Sequence, residues 1–578
     1  MNNIAIKKRV QQMSYDHFNI SLYCRIYELN EITDFEEFDK KFRRKFKDVK
    51  IGRVYLECFR GMMWVEKEQI LRAKNYFEGL GIATSGGITT GEEPGREGFE
   101  SMCFSSERDV EAIREAVRLN AEIFDEFILD DFFFTNCRCP KCIEKKGNRS
   151  WSEFRLEQMR WMAEEVVLKT AKEVNPDINV IIKFPQWYEY YRETGYDLTT
   201  EPKMFDSIYT GTETRNPEYS QQHMPKYTSY FIMRYLESAA PGRNLGGWID
   251  QYDGTYNMSS YLEQAYITLF SKPKELNLFC LGTLMNEPEY SPFVPAMGQA
   301  LADVDSYLGK LGNPVGVATY LPGYGRGEMY LHNYLGMCGI PLDPQIEYPE
   351  DAKSLFMTEG AAADPQILSR IKKSLLNGAN IMVTSGFVRK MGETFTELVN
   401  VKYSAAKALV SDYAVTKDNG ISVSGKYRGT KEILIPQMDY CTNDIWELAG
   451  AFGTDYNFPI LLRTRYGNGR ISVLTVPDNM GDMYHYPPQI LGAVREQLMA
   501  ELPVRVEGPA KVQMFLYDNN CMILRSDLEY YETVTLHLDE KITAVKDLIK
   551  GEMIPVTDHK VTFQLMPFVN YVLEFCEK

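Results

Sequence analysis

The chain has 578 residues, 44% of them hydrophobic and 25% charged, and a formal net charge of −16. That length supports two or three domains, each able to bury its own core. The acidic balance, with no long basic run, excludes nucleic acid and anionic membrane as expected partners, because both need clustered Lys and Arg.

The first 21 residues are polar and charged, so neither a signal peptide nor a membrane helix is expected there. Eleven cysteines in a chain read this way fit a reducing compartment, and a cytoplasmic location is expected. Over the first 310 residues, short apolar runs alternate with helical patterns, the rhythm of parallel βα units. Eight strands are predicted, at 20–27, 53–59, 81–86, 127–132, 179–184, 207–211, 246–250 and 276–281. Helices are predicted between them at 107–121, 151–173 and 260–270. Eight such units match a closed (β/α)8 TIM barrel. An open doubly wound sheet is the alternative, but no G-x-G-x-x-G follows the first strand.

In such a barrel the chemistry sits at the C-terminal strand ends. The first two strands offer Arg25, Glu28, Glu57 and Arg60. The fourth ends in Asp130 and Asp131, and the fifth in Lys183, with Trp187 and Tyr188 beyond it. The sixth leads to Glu213 and Arg215, and the seventh to Trp248, Asp250 and Asp253. Acids, bases and indoles meeting at one mouth suit glycosidic cleavage. That reaction needs two carboxyl groups, one to protonate the leaving oxygen and one to attack or to activate water. Asp131, Asp250, Glu213 and Asp130 are the candidate catalytic acids. Arg25, Glu57, Lys183, Trp187, Arg215, Trp248 and Asp253 are the candidate substrate-binding residues. Glu57 and Arg25 also suit an ion pair inside the mouth. Successive strand residues face opposite sides, so only one of Asp130 and Asp131 is expected to face the barrel axis.

Cys137, Cys139 and Cys142 place three thiolates in the loop after the fourth strand. Zinc takes four tetrahedral ligands, and Cys103, after the third strand, is the candidate fourth. A four-thiolate site leaves no open position, so a structural zinc is expected. This cysteine pattern and the domain order resemble glycoside hydrolase family 42, the β-galactosidases. The resemblance implies a zinc site beside the catalytic acid. It also implies an acid/base at the end of strand four and a nucleophile at the end of strand seven. Both are glutamates in that family. Here the matching positions hold Asp131 and Asp250, each one methylene shorter, so the family's stereochemistry and sugar do not transfer. Two further assignments stand beside that one. Asp131 could be the nucleophile with Glu213 as acid, an arrangement that looks like retaining α-galactosidases. Alternatively, Asp130 and Asp131 could serve substrate-assisted attack by an N-acetyl group.

Past Gly312-Asn-Pro314 a second α/β domain is predicted, with strands at 315–321, 355–358, 381–384 and 470–476. Its helices fall at 329–338, 364–376 and 488–502, and it reads as a small doubly wound sheet. It resembles the glutamine-amidotransferase-like domain of family 42 relatives, which implies a homo-oligomer, trimer or dimer. Its central turn, Thr384-Ser-Gly386, lacks the cysteine nucleophile of an amidotransferase, so a non-catalytic role is expected. Six strands between 512 and 575 predict a C-terminal antiparallel β-sandwich. The domains are drawn at 1–312, 313–508 and 509–578. The resulting expectation is a glycosidase, galactosidase-like by resemblance, acting on an oligosaccharide or other glycoside. A non-catalytic carbohydrate-binding protein, or a sugar isomerase or lyase with Lys183 as base, are the alternatives.

Overall fold

The computed structural model describes residues 14–91, 101–215, 224–252, 258–417, 422–453 and 456–577. The chain divides into two compact units, Met1–Gly309 and Lys310–Lys578.

The first unit is a closed parallel barrel. Its strands are β1 (Asn19–Cys24), β2 (Arg53–Arg60), β3 (Ala83–Thr89), β4 (Glu126–Leu129), β5 (Asn179–Phe184), β6 (Ser207–Gly211), β7 (Asn244–Asp250) and β8 (Glu275–Phe279). Each pairs with the next, and β1 pairs with both β2 and β8, which closes the ring. The strands read as near-continuous apolar runs because helices cover the outside and side chains fill the inside. The interior layer is aromatic: Tyr23, Tyr55, Tyr209 and Trp248 pack with Ile128 and Ile181.

Three strand ends differ from expectation. β1 stops at Cys24, and Ile26–Glu31 is a helix, so Arg25 stands at its N-cap position. β3 runs on to Thr89. The Gly86-Gly87 pair that looked like its end is a close-approach point instead. A Cβ on Gly87 would lie 2.8 Å from the Tyr23 hydroxyl, so only glycine lets that ring pass. β4 stops at Leu129, which leaves Asp130 and Asp131 beyond the strand. The alternation rule therefore does not govern them, and both turn toward Lys183.

The N-terminal end of the barrel is sealed by a polar network. Arg53 pairs with Glu126 and, at 3.1 Å, with Glu275. Glu275 also accepts hydrogen bonds from Tyr55 (3.1 Å), Tyr209 (3.2 Å) and Asn19 (2.7 Å). Conserving charge balance at this end stabilises the barrel without touching the mouth.

The second unit holds a nine-stranded mixed sheet. A parallel half consists of β9 (Val317–Tyr320), β10 (Leu342–Gln345), β11 (Ser354–Met357), β12 (Asn380–Thr384) and a later strand, Gly469–Leu474. Helix Ile367–Leu376 stops before Gly378, whose φ of 95° is the left-handed turn expected of a glycine there. The antiparallel half, Val401–Lys417, Ser422–Tyr440, Trp446–Phe452 and Asn457–Tyr466, was not anticipated. Its first two strands form a long ribbon with many exposed residues on both faces, so the sequence carries no period-two alternation. A sheet of six strands and another of three make up the antiparallel C-terminal part, which includes Val512–Tyr517, Cys521–Ser526 and Asn570–Glu577. No helix among the described residues is long and apolar enough to cross a membrane.

Candidate active site and cysteine cluster

A cavity of about 610 Å³ opens at the C-terminal strand ends of the barrel. Lys183, at the end of β5, organises its polar wall. Its ammonium lies 2.9 Å from Asp131 Oδ2, 2.9 Å from Glu213 Oε1 and 3.5 Å from Asp130 Oδ1. It also sits 4.1 Å from the centre of the Trp248 ring, a cation–π contact in a dry setting. Two contacts of 2.9 Å on one nitrogen keep the Asp131 and Glu213 oxygens less than twice that distance apart.

The three carboxyls are held differently. Asp130 is buried; its Oδ1 accepts the backbone N–H of Asp131 at 2.7 Å, and its Oδ2 accepts from Thr89 at 3.2 Å. Burial opposes its charge, but Lys183 and Arg60 prevail and hold it below the usual carboxylate range. Burial raises the Glu213 carboxyl, with Lys183 opposing and Asp250 adding to the rise. Burial likewise raises Asp131, with Lys183 opposing and Asp130 and Glu213 adding to the rise. Asp131 and Glu213 share one ammonium and titrate as a pair. The Asp131 side chain keeps 21% of its exposure against 3% for Glu213, so Asp131 is the more open of the two to the cavity. Consistent with this, Glu213 Oε2 is buried with no hydrogen-bond partner among the described residues.

Asp250, at the end of β7, is clamped by Arg215. The guanidinium Nε and Nη2 donate to its two oxygens at 3.1 and 2.5 Å, a bidentate grip that fixes the carboxylate. Arg25 donates to Glu28 at 2.9 Å and to the Tyr252 hydroxyl at 3.0 Å, with Phe279 beneath its guanidinium. Trp187 stands edge-on to Phe134, and both line the cavity.

Of the residues singled out in the sequence, Asp130, Asp131, Glu213, Asp250, Arg25, Arg60, Lys183, Trp187, Arg215 and Trp248 line this one cavity. Glu57 does not. It is fully buried and accepts from Tyr23, Ile26 N, Thr89 and both Arg60 contacts, so its role is to hold Arg60 rather than to meet a ligand. Tyr188 also turns away, against Phe231 and Tyr235. Asp253 lies outside the described residues. Phe132, Phe134, Gln186, Thr194, Tyr252 and Phe279 line the cavity without having been anticipated. The Phe-Phe-Phe run after Asp131 divides: Phe133 is fully buried against Phe104, while Phe132 and Phe134 line the cavity.

Beside the cavity, Cys103, Cys137, Cys139 and Cys142 converge, with all four sulfurs within 4.8 Å of one another. Cys103 Sγ lies 3.7 Å from that of Cys139 and 3.6 Å from that of Cys142. A tetrahedron with metal–sulfur bonds of about 2.3 Å has edges of about 3.8 Å, so the cluster fits a metal ion. Phe154 and Trp151 pack over it. The loop from Asp130 to Cys139 thus runs from the carboxylates to the thiolates, with Thr135 N bound to Thr194 O at 3.0 Å between them.

Residues 7–294 match the family model described as "Probable glycosyl hydrolase, catalytic domain". Residues 312–479 match the second domain of the uncharacterized protein SSO3021, and residues 503–570 match a glycosyl hydrolase C-terminal domain model. The SSO3021 protein of Saccharolobus solfataricus is 27% identical over 294 residues, which is 45% of this chain and 48% of that one. The match thus spans about half the length of that curated relative. The β-galactosidase of Bacillus circulans sp. alkalophilus superposes with a TM-score of 0.66 at 12% identity, over 97% of this chain and 99% of that one. A catalytic mutant of Gan42B, a GH42 β-galactosidase from G. stearothermophilus, gives 0.66 at 13% identity over 97% and 99%. The α-L-fucosidase isoenzyme 2 of Paenibacillus thiaminolyticus gives 0.67 at 13% over 97% and 100%. By these matches residues 7–294 are similar to a probable glycosyl hydrolase catalytic domain, and the chain has the fold of the GH42 β-galactosidases.

Proposed function

We propose that the protein is a retaining glycosidase in which Asp131 is the nucleophile and Glu213 the general acid and base. The observation that carries this reading is the single ammonium of Lys183 held 2.9 Å from both carboxyls at the wall of the cavity. Glu213, enclosed and raised in proton affinity, suits protonation of the departing glycosidic oxygen. Asp131, more open to the cavity, suits attack on the anomeric carbon in its ionised form, which the Lys183 ammonium favours against the burial that raises its proton affinity. That attack forms a glycosyl ester as the bond to the leaving oxygen breaks. Glu213, now deprotonated, then takes a proton from water, whose oxygen displaces Asp131 and restores both groups. Asp130 positions Asp131 through its backbone N–H.

Asp250 occupies the strand-seven position of the family nucleophile, but the Arg215 clamp suits it better to hold a sugar hydroxyl. Trp187, Phe132 and Phe134 offer apolar faces for the sugar ring, and Arg25 and Trp248 complete the floor. Lys183 does not suit the role of base in an isomerase or lyase, because three carboxylates keep it protonated. The four cysteines would hold a structural zinc, which would neutralise thiolate charge and fix the loop carrying Asp131.

Aryl α- and β-glycosides of the common hexoses and fucose test the reading against the variants Asp131→Asn, Glu213→Gln and Asp250→Asn. Asp131→Asn is expected to abolish turnover of every aryl substrate. Glu213→Gln is expected to lose about 10²–10⁴-fold in kcat/KM on poor leaving groups and far less in kcat/KM on dinitrophenolate, whose departure needs no proton. Full activity of Asp131→Asn, or loss in Glu213→Gln independent of the leaving group, refutes the assignment.

A further inference from the structure

The second unit contains a cavity of about 230 Å³ lined by three arginines, Arg463, Arg470 and Arg505, with Glu496 as the single acid. In a chain of net charge −16, such a concentration of positive charge needs an explanation. Arg470 opens the strand Gly469–Leu474 that follows β12 across the sheet, and Arg463 lies on the neighbouring strand Asn457–Tyr466. Arg463 reaches Gln497 at 3.1 Å. Neither Arg470 nor Arg505 makes an ion pair or side-chain hydrogen bond among the described residues. Ser354, at the start of β11, lines the same cavity, and its Oγ is buried without a hydrogen-bond partner. Burial lowers the proton affinity of Arg463, and the like charge of Arg470 lowers it further.

We propose that this cavity binds a phosphate-sized oxyanion, either inorganic phosphate or the phosphate group of a small monoester. Guanidinium groups grip such oxygens in a planar fork, and Arg470 and Arg505 keep theirs open to the cavity. The volume is below that of drug-sized pockets (about 300–1,000 Å³), which favours a small anion. The competing explanation is that the arginines serve the C-terminal turn of helix Pro488–Leu498, which also lines the cavity.

Titration of the full chain with inorganic phosphate and with a hexose phosphate, at ionic strength balanced with chloride, separates the two explanations. Saturable one-to-one binding of phosphate is expected, with a rise in Tm. The double variant Arg470→Gln/Arg505→Gln is expected to bind at least tenfold more weakly, to keep its Tm in phosphate-free buffer and to retain wild-type glycoside hydrolysis. Binding of the hexose phosphate at least as tight as that of phosphate identifies the monoester as the ligand, and weaker binding identifies the free ion. Absence of saturable binding, equal binding by the variant, or a Tm lowered in phosphate-free buffer overturns the proposal. Arg505→Gln alone is expected to weaken phosphate binding in the same direction, with its Tm in phosphate-free buffer unchanged.

Discussion

Replacing Lys183 by Met tests the electrostatic core of the site. The substitution keeps the length of the side chain and removes the charge that three carboxylates share. The Lys183 side chain is 2% exposed, so its partners would stay buried without an ammonium. Breaking such a buried arrangement from one side costs about 3–5 kcal/mol. The sign of the pH dependence follows from the shifts. In the wild type Lys183 is raised above its unfolded value, so its stabilisation is fully present below about pH 10 and changes little between pH 5 and 9. In the variant, Asp131 and Glu213 lose the charge that opposed their upward shifts. Their contribution is then fully present below the unfolded carboxylate range, about pH 4, and is lost as pH rises through the folded values. Denaturant unfolding at pH 5, 7 and 9 should therefore show a stability gap between the two proteins that widens with pH. A fall of about 10²–10³-fold in kcat is expected alongside, as when a preorganised charge is removed from a reaction centre. A gap below about 1 kcal/mol, typical of an exposed pair, or one that is constant with pH, would refute the reasoning.

Purified protein is expected to contain one zinc per chain, and Cys139→Ser to lose it. The loss should lower kcat through the loop that carries Asp131 and Phe134, and metal analysis together with proteolysis of that loop checks both effects. Arg53→Met, at the opposite end of the barrel, would strand Glu126 and Glu275. Its side chain is 27% exposed, so the cost should fall below the about 3–5 kcal/mol of a fully buried pair, with kcat of the folded fraction unchanged. Denaturant melts and active-site-normalised rates check this variant.

Much of the barrel was legible because buried parallel strands are short apolar runs between amphipathic helices. β5 and β6 fall on the residues predicted for them. The strand ends were harder to place, since Asp130, Asp131 and Arg25 leave the sheet by one or two residues with no glycine or proline to mark it. The cysteine spacing predicted the cluster, including its distant fourth member Cys103, because soft-metal ligand types are rarely grouped by accident. Glu57 misled because a carboxylate at a strand end looks the same whether it meets a ligand or buries an arginine. The long ribbon of the second unit escaped because its stability comes from backbone pairing, which leaves little trace in an exposed sequence. The Lys183 hub was visible only as one candidate among many, since sequence does not reveal that β5 and β6 aim their side chains at a common point.

The most direct measurement of the central claim is mass-spectrometric mapping of the protein after reaction with a 2-deoxy-2-fluoro glycoside bearing an activated leaving group. Slowed breakdown of a glycosyl ester should leave the label on the peptide containing Asp131, with release of one leaving group per active site. Label on Asp250 or Glu213, or turnover without label and with inverted configuration at the anomeric carbon, would contradict the account.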